Sequence, residues 1–83
     1  MKGKKVRVQL NTPIDIEVSE EGAKEKIRLE TIFKIYGTIT EFGNAGVEIE
    51  ISDLFNEKNL KILPPYRSLF LPYHKIDYLF SAT

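Results

Sequence analysis

The 83 residues include no cysteine, one histidine and one methionine. Without cysteine neither a disulfide framework nor a thiolate metal site can form, and the lone His74 excludes a histidine-rich metal cage and a Cys-His nucleophile pair. Net charge of one sign is also missing, because twelve Lys and Arg balance twelve Asp and Glu. The chain as a whole therefore lacks the positive charge that drives indiscriminate binding to nucleic acid or anionic membrane, and any such binding has to come from a local patch. Apolar runs are a few residues long, far short of the roughly 20 needed for a membrane-spanning helix. Met1-Lys2-Gly3-Lys4-Lys5 is not followed by an apolar signal segment. A soluble, cytoplasmic protein is expected, folded as a single domain over residues 1–83.

Alanine is scarce as well, with three in the chain, whereas Ile, Val and Thr together make up nearly a quarter of it. β-branched side chains favour pleated strands over helices, so the expected class is all-β. Ten Ile, nine Lys, nine Glu and a single Gln also resemble the composition of hyperthermophile proteins.

Alternation of period two runs through most of the sequence. From Val6 to Val18 the even positions are apolar or Thr and the odd ones polar or Pro. Pro13 cannot donate to a ladder, which leaves two readings: one strand broken at Pro13, or a hairpin that pairs Val8 with Ile16 and Arg7 with Glu17. Residues 19–26 are polar, contain Gly22 and read as a loop or a single helical turn. Alternation resumes on odd positions from Ile27 through Leu29, Thr31, Phe33, Ile35 and Gly37 to Ile39, a long strand in which Gly37 permits a sharp bend. The turn Gly43-Asn44-Ala45-Gly46 follows. A three-residue loop, Asn44-Ala45-Gly46, would pair Ile39 with Ile51 and put Gly46 in the left-handed region; a two-residue loop would set Thr40 across from Ile49. With the three-residue loop, Glu41 falls on the apolar side and Phe42 outside, which suggests a local bulge. Residues 52–65 read as an irregular surface excursion with turn chemistry at Asn56-Glu57-Lys58-Asn59, and residues 66–80 as two strands joined by a tight turn starting at Pro72.

This succession of a long glycine-bent strand (27–42), a tight hairpin, a second strand (47–51), an excursion and two short closing strands resembles the Sm-like variant of the SH3-type barrel. Leu69-Phe70-Leu71-Pro72-Tyr73-His74-Lys75-Ile76-Asp77-Tyr78-Leu79 is similar to the strand, short 3₁₀ turn and strand with which many such barrels end. The resemblance covers residues 27–80 and implies a small SH3-like or Sm-like barrel of about five or six strongly bent antiparallel strands. It lacks the N-terminal helix usual in Sm proteins, and Gly43-Asn44-Ala45-Gly46 stands where they carry a base-binding loop. Tyr73-His74-Lys75 occupies the setting of their second signature, with His74 and Lys75 as the equivalents.

Charge is unevenly spread along the chain. Lys2, Lys4, Lys5 and Arg7 form a basic N-terminus, Lys58, Lys61, Arg67 and Lys75 outnumber Asp77 near the C-terminus, and the compensating acids lie between. Brought to one side, these segments would contact phosphates, and Tyr66, Tyr73 and His74 would stack on unpaired bases. The candidate nucleic-acid-binding residues are Lys4, Lys5, Arg7, Arg67, Tyr73, His74 and Lys75. A solubilising N-terminus and core aromatics would explain the same residues without a ligand. Glu48 and Glu50, like Asp15 and Glu17, read as a solvated strand face, not as an acid and base pair or a metal site. No catalytic residue, metal ligand or cofactor is expected. The expected activity is that of a non-catalytic binding module for RNA or single-stranded nucleic acid, self-associating through edge strands. The alternative is a protein-interaction or assembly module.

Overall fold

The computed structural model describes residues 2–19 and 27–81. Residues 20–26, most of the polar segment read above as a loop or helical turn, lie outside the description, as does the side chain of Ile27. The described chain forms six strands and one 3₁₀ turn: β1 (Lys5–Ser19), β2 (Ile27–Phe42), β3 (Gly46–Asn56), β4 (Lys61–Ile62), β5 (Ser68–Pro72), the 3₁₀ turn (Tyr73–Lys75) and β6 (Ile76–Ser81). All ladders are antiparallel and belong to one sheet of order β4-β3-β2-β1-β6, with β5 also paired to β3. The all-β expectation therefore holds. Among the described residues no helix is long and apolar enough to cross a membrane.

The sheet is strongly curled, as the connection from β5 to β6 demonstrates. β5 pairs with β3 and β6 with β1, so in a flat sheet four strand spacings, roughly 19 Å, would separate them. The three-residue turn Tyr73–Lys75 joins them, and a 3₁₀ turn rises only about 2 Å per residue. The β1 and β3 flanks must therefore approach each other, although no ladder joins β5 to β6 among the described pairs. Inside the curl, Val6, Val8, Leu10, Ile16, Val18, Ile32, Ile35, Ile39, Val47, Ile49, Leu54, Ile62 and Leu71 form the core. No polar or charged residue is buried with them among the described residues.

Bulges decide which residues enter that core. β1 is one strand, not a hairpin on itself: Val8 faces Ile35 and Leu79, and Arg7 faces Tyr36 and Phe80. Its pairing to β2 breaks after Gln9 and resumes at Ile14. Pro13, with no N–H to donate, falls in that gap. β2 changes phase at Phe33, which has no partner between Ile32 opposite Asn56 and Lys34 opposite Phe55. Ile32 and Ile35 are both buried as a result, and Leu29, read as inward above, is 65% exposed. Thr31 likewise turns outward and donates its hydroxyl to Asp15 Oδ1 at 2.9 Å.

The β2–β3 connection is the two-residue loop, and its register departs from that reading only beyond Glu41. The Gly43 N–H donates to Gly46 O at 3.0 Å, enclosing the two residues Asn44 and Ala45, and Gly46 is not in the left-handed region. A shift between Ile39 and Glu41 then returns Ile39 to Ile49, so the bulge falls at Thr40. One extra residue there puts Ile39, Val47 and Ile49 on one face, the task the longer loop was expected to perform. Gly46 is needed for space: a Cβ there would overlap Leu71 O and lie 2.8 Å from Pro72 Cα.

Residues 52–65 are more regular than expected, since β3 continues to Asn56 and pairs with β4. The turn chemistry is as read. Asn56 Oδ1 accepts the N–H groups of Lys58 at 3.0 Å and Leu60 at 2.9 Å, its Nδ2 donates to Glu30 at 3.2 Å, and Asn59 takes φ 61°, which Asn tolerates well. Asn56→Ala removes all three side-chain bonds. At about 0.5 to 1.5 kcal/mol net for each such bond, discounted for exposure, we expect a loss of about 1 to 2 kcal/mol. Urea unfolding should show a lower midpoint with an unchanged slope.

Candidate nucleic-acid interface

The structure distributes the seven sequence candidates over three places. Lys5 and Arg7 project from the outer side of β1, because Val6 and Val8 point into the core. Lys4 lies just before the strand, where its carbonyl accepts the Ile39 N–H at 2.9 Å. Arg67 precedes β5, with Nε 3.7 Å from Glu50 Oε2. Nearby, Lys2 Nζ is 3.0 Å from Glu41 Oε1. Exposed pairs of this kind contribute little stability, but they offset positive charge at this end of the sheet.

Tyr73, His74 and Lys75 occupy the 3₁₀ turn, which is fastened on both sides. The Tyr73 hydroxyl donates to Gly43 O at 2.7 Å and the Tyr73 N–H to Ala45 O at 3.1 Å. Asn11 Nδ2 donates to His74 O at 2.7 Å. Asn11 is six residues along β1 from Lys5, roughly 20 Å of extended strand. The turn and the basic N-terminus are thus held at different parts of the curled sheet, and the seven residues do not form one cluster.

What the fold does assemble is a row of aromatic rings and cations across the outer face. Cross-strand pairing sets Phe80 beside Arg7, Arg7 beside Tyr36, and Tyr36 beside Asp53. The next row sets Tyr78 beside Gln9, Gln9 beside Lys34, Lys34 beside Phe55, and Phe55 beside Lys61. The Arg7 guanidinium lies 4.8 Å from the Phe80 ring centroid and 6.0 Å from that of Tyr36. Lys34 Nζ lies 5.5 Å from the Phe55 centroid. Tyr36 and Phe55 are 5.0 Å apart, and Tyr78 and Phe80 are 5.7 Å apart. Cation–π contacts at exposed sites contribute about 0.5 to 1 kcal/mol each, enough to orient these side chains. Tyr78 and Phe80 remain 58% and 42% exposed, a large apolar area for a solvent-facing strand.

Electrostatically the face is locally basic despite the neutral chain. Lys5, Arg7, Lys34 and Lys61 stand against two carboxylates: Asp53, whose Oδ1 is 3.3 Å from Lys61 Nζ, and Glu50, which lies across Thr38 from Lys5 and 3.7 Å from Arg67 Nε. Cations that bind phosphate, interleaved with rings that stack on bases, are the two elements single-stranded nucleic acid requires. Of the seven candidates, Arg7 sits within these rows and Lys5 borders them. Lys34, Tyr36 and Phe55 are new, and Tyr78 and Phe80 join them. The alternation around Ile35 already placed Lys34 and Tyr36 outward, an aromatic and a cation two apart on one strand. Their neighbours depended on register.

Among the described residues no group of three or more His, Asp or Glu side chains is arranged to hold a metal ion. Compared with known proteins, the chain matches no family model, no curated protein and no solved structure.

Proposed function

We propose that the protein is a non-catalytic binding module of the Sm-like, SH3-type small-barrel kind, and that it takes single-stranded nucleic acid, RNA in particular, on the outer face of β6, β1, β2 and β3. The single observation that carries this reading is the Phe80–Arg7–Tyr36 row, in which a guanidinium lies between two rings on an open, locally basic surface. The barrel assignment is supported by the curl and by the strand, 3₁₀ turn and strand that link its two flanks. Fold alone does not determine function, so the weight rests on the face. Self-association follows from the edges: among the described residues β5 and β6 each have a partner on one side only, and such edges pair with a neighbour or need protection.

Salt dependence is the test. Arg7, Lys34 and Lys5 together neutralise about three phosphates, which for a single strand gives a logarithmic slope near −2. Affinity for a generic RNA oligonucleotide should fall roughly a hundredfold over a tenfold rise in salt. Arg7→Gln should make that slope shallower by about 0.7.

A second reading is favoured by a different observation. Phe42, Leu63, Tyr66 and Phe70 are 51%, 85%, 48% and 52% exposed, and Phe42 and Phe70 line a depression of about 250 Å³ beside the β2–β3 turn. An assembly module would use that surface and the free edges to bind a protein chain, and it would bind no RNA even at low salt.

A further inference from the structure

Beside the aromatic rows lies a smaller feature with a different chemistry. The strand β3 carries one residue too many opposite β2: Tyr36 pairs with Asp53 and Gly37 with Ile51, which leaves Ser52 without a partner. At the same place Gly37 brings β2 so close to β3 that a Cβ would overlap Glu50 O. Beside this close approach and the bulge lies an outer depression of about 190 Å³ lined by Lys5, Val6, Tyr36, Gly37, Ser52 and Asp53. That is below the roughly 300 to 1,000 Å³ of pockets for drug-sized ligands, a size suited to one ring system. Bulges commonly re-aim side chains at functional positions.

We infer that this depression is a base-reading pocket with preference for guanine, which rests on the outer face being the nucleic-acid interface proposed above. Tyr36 belongs to both the stacking rows and the pocket lining, so a strand lying on the rows would pass the pocket with its bases unpaired. Asp53 supplies the selectivity. An ionised carboxylate only accepts hydrogen bonds, with two oxygens and about four lone-pair sites, and the Lys61 contact occupies Oδ1 alone. The Watson–Crick edge of guanine presents two adjacent donors, N1–H and the 2-amino group. Uracil presents one donor between two carbonyls, while adenine and cytosine place a ring-nitrogen acceptor beside their amino group, which a carboxylate repels. The guanine O6 accepts, and Lys5 and the Ser52 hydroxyl are the donors in the same lining.

The test compares fluorescein-labelled RNA octamers by anisotropy at low salt: oligouridine, the same octamer with one central guanosine, and the same with inosine, which lacks the 2-amino donor. The guanosine octamer should bind at least about fivefold more tightly than oligouridine, the lower end of discrimination by a good bidentate contact. Inosine should give back part of that gain with the protein unaltered, which makes the result independent of any variant's folding. Asp53→Asn should abolish the preference, and Lys61→Gln, which breaks the same ion pair but spares the acceptor, should keep it. Equal binding of all three octamers, or a preference that survives Asp53→Asn, overturns the pocket and leaves the aromatic face standing. Failure to bind any octamer overturns both.

Discussion

Gly37→Val is expected to lower stability by about 3 kcal/mol or more, at the upper end of overpacking costs. A Cβ at Gly37 would overlap Glu50 O and sit 2.5 Å from Ile49 Cγ2. The first obstacle is backbone in the adjoining strand and the second belongs to a side chain with no exposed area, so neither can yield without separating β2 from β3. A domain of this length is stable by roughly 4 to 12 kcal/mol, and the substitution therefore removes a large fraction of the total. Gly43→Ala is the internal control. Nothing lies within 4 Å of a Cβ there and its φ is not left-handed, so it should change stability by no more than about 0.5 kcal/mol. Thermal or urea unfolding of the two variants measures the contrast. Equal midpoints would mean that β2 and β3 do not approach each other at Gly37 as described.

The second large effect concerns binding. Each aromatic ring that stacks on a base contributes roughly 1 to 3 kcal/mol by alanine substitution, so Tyr36→Ala combined with Phe80→Ala should weaken RNA binding by roughly thirtyfold or more. Because Arg7, Lys34 and Lys5 remain, the salt slope should stay near its wild-type value, separating loss of stacking from loss of phosphate contact. Phe70→Ala supplies the comparison: its ring is 52% exposed, but it lies on β5 opposite Glu48, outside the rows, and its removal should leave affinity within about twofold. Circular dichroism of each variant keeps folding out of the comparison. Unchanged affinity in the double variant would eliminate the outer face as the interface.

Much of the fold was legible in the residues because pleated strands place successive side chains on opposite faces. The alternation from Val6 to Leu10, the closing strands around Pro72 and the turn at Asn56 to Asn59 all appear in the structure where the sequence put them. The misreadings have one physical source. A single unpaired residue reverses the face of everything beyond it, and Phe33 carries no local mark that distinguishes a bulge from a regular strand position; near Thr40 the conflict at Glu41 and Phe42 signals a bulge without fixing its residue. Alternation on odd positions places Leu29 inward and Ile32 outward because it carries the phase of Ile35 and Ile39 backwards through Phe33. The candidate site suffered from the same limit: basic segments at the two ends of the chain are easily counted, but Arg7 finds Phe80 and Tyr36 only through two ladders, one of them closing from the far end of the sequence.

By itself, then, the order of apolar and polar residues determined that the chain would be pleated and where it would turn back, since these follow from neighbours a few positions apart. Tertiary pairing alone decided which outward side chains share a surface. Arg7 and Phe80 are 73 positions apart, yet they meet because a three-residue turn makes the sheet curl until β6 lies along β1, and no local preference of either residue specifies that contact.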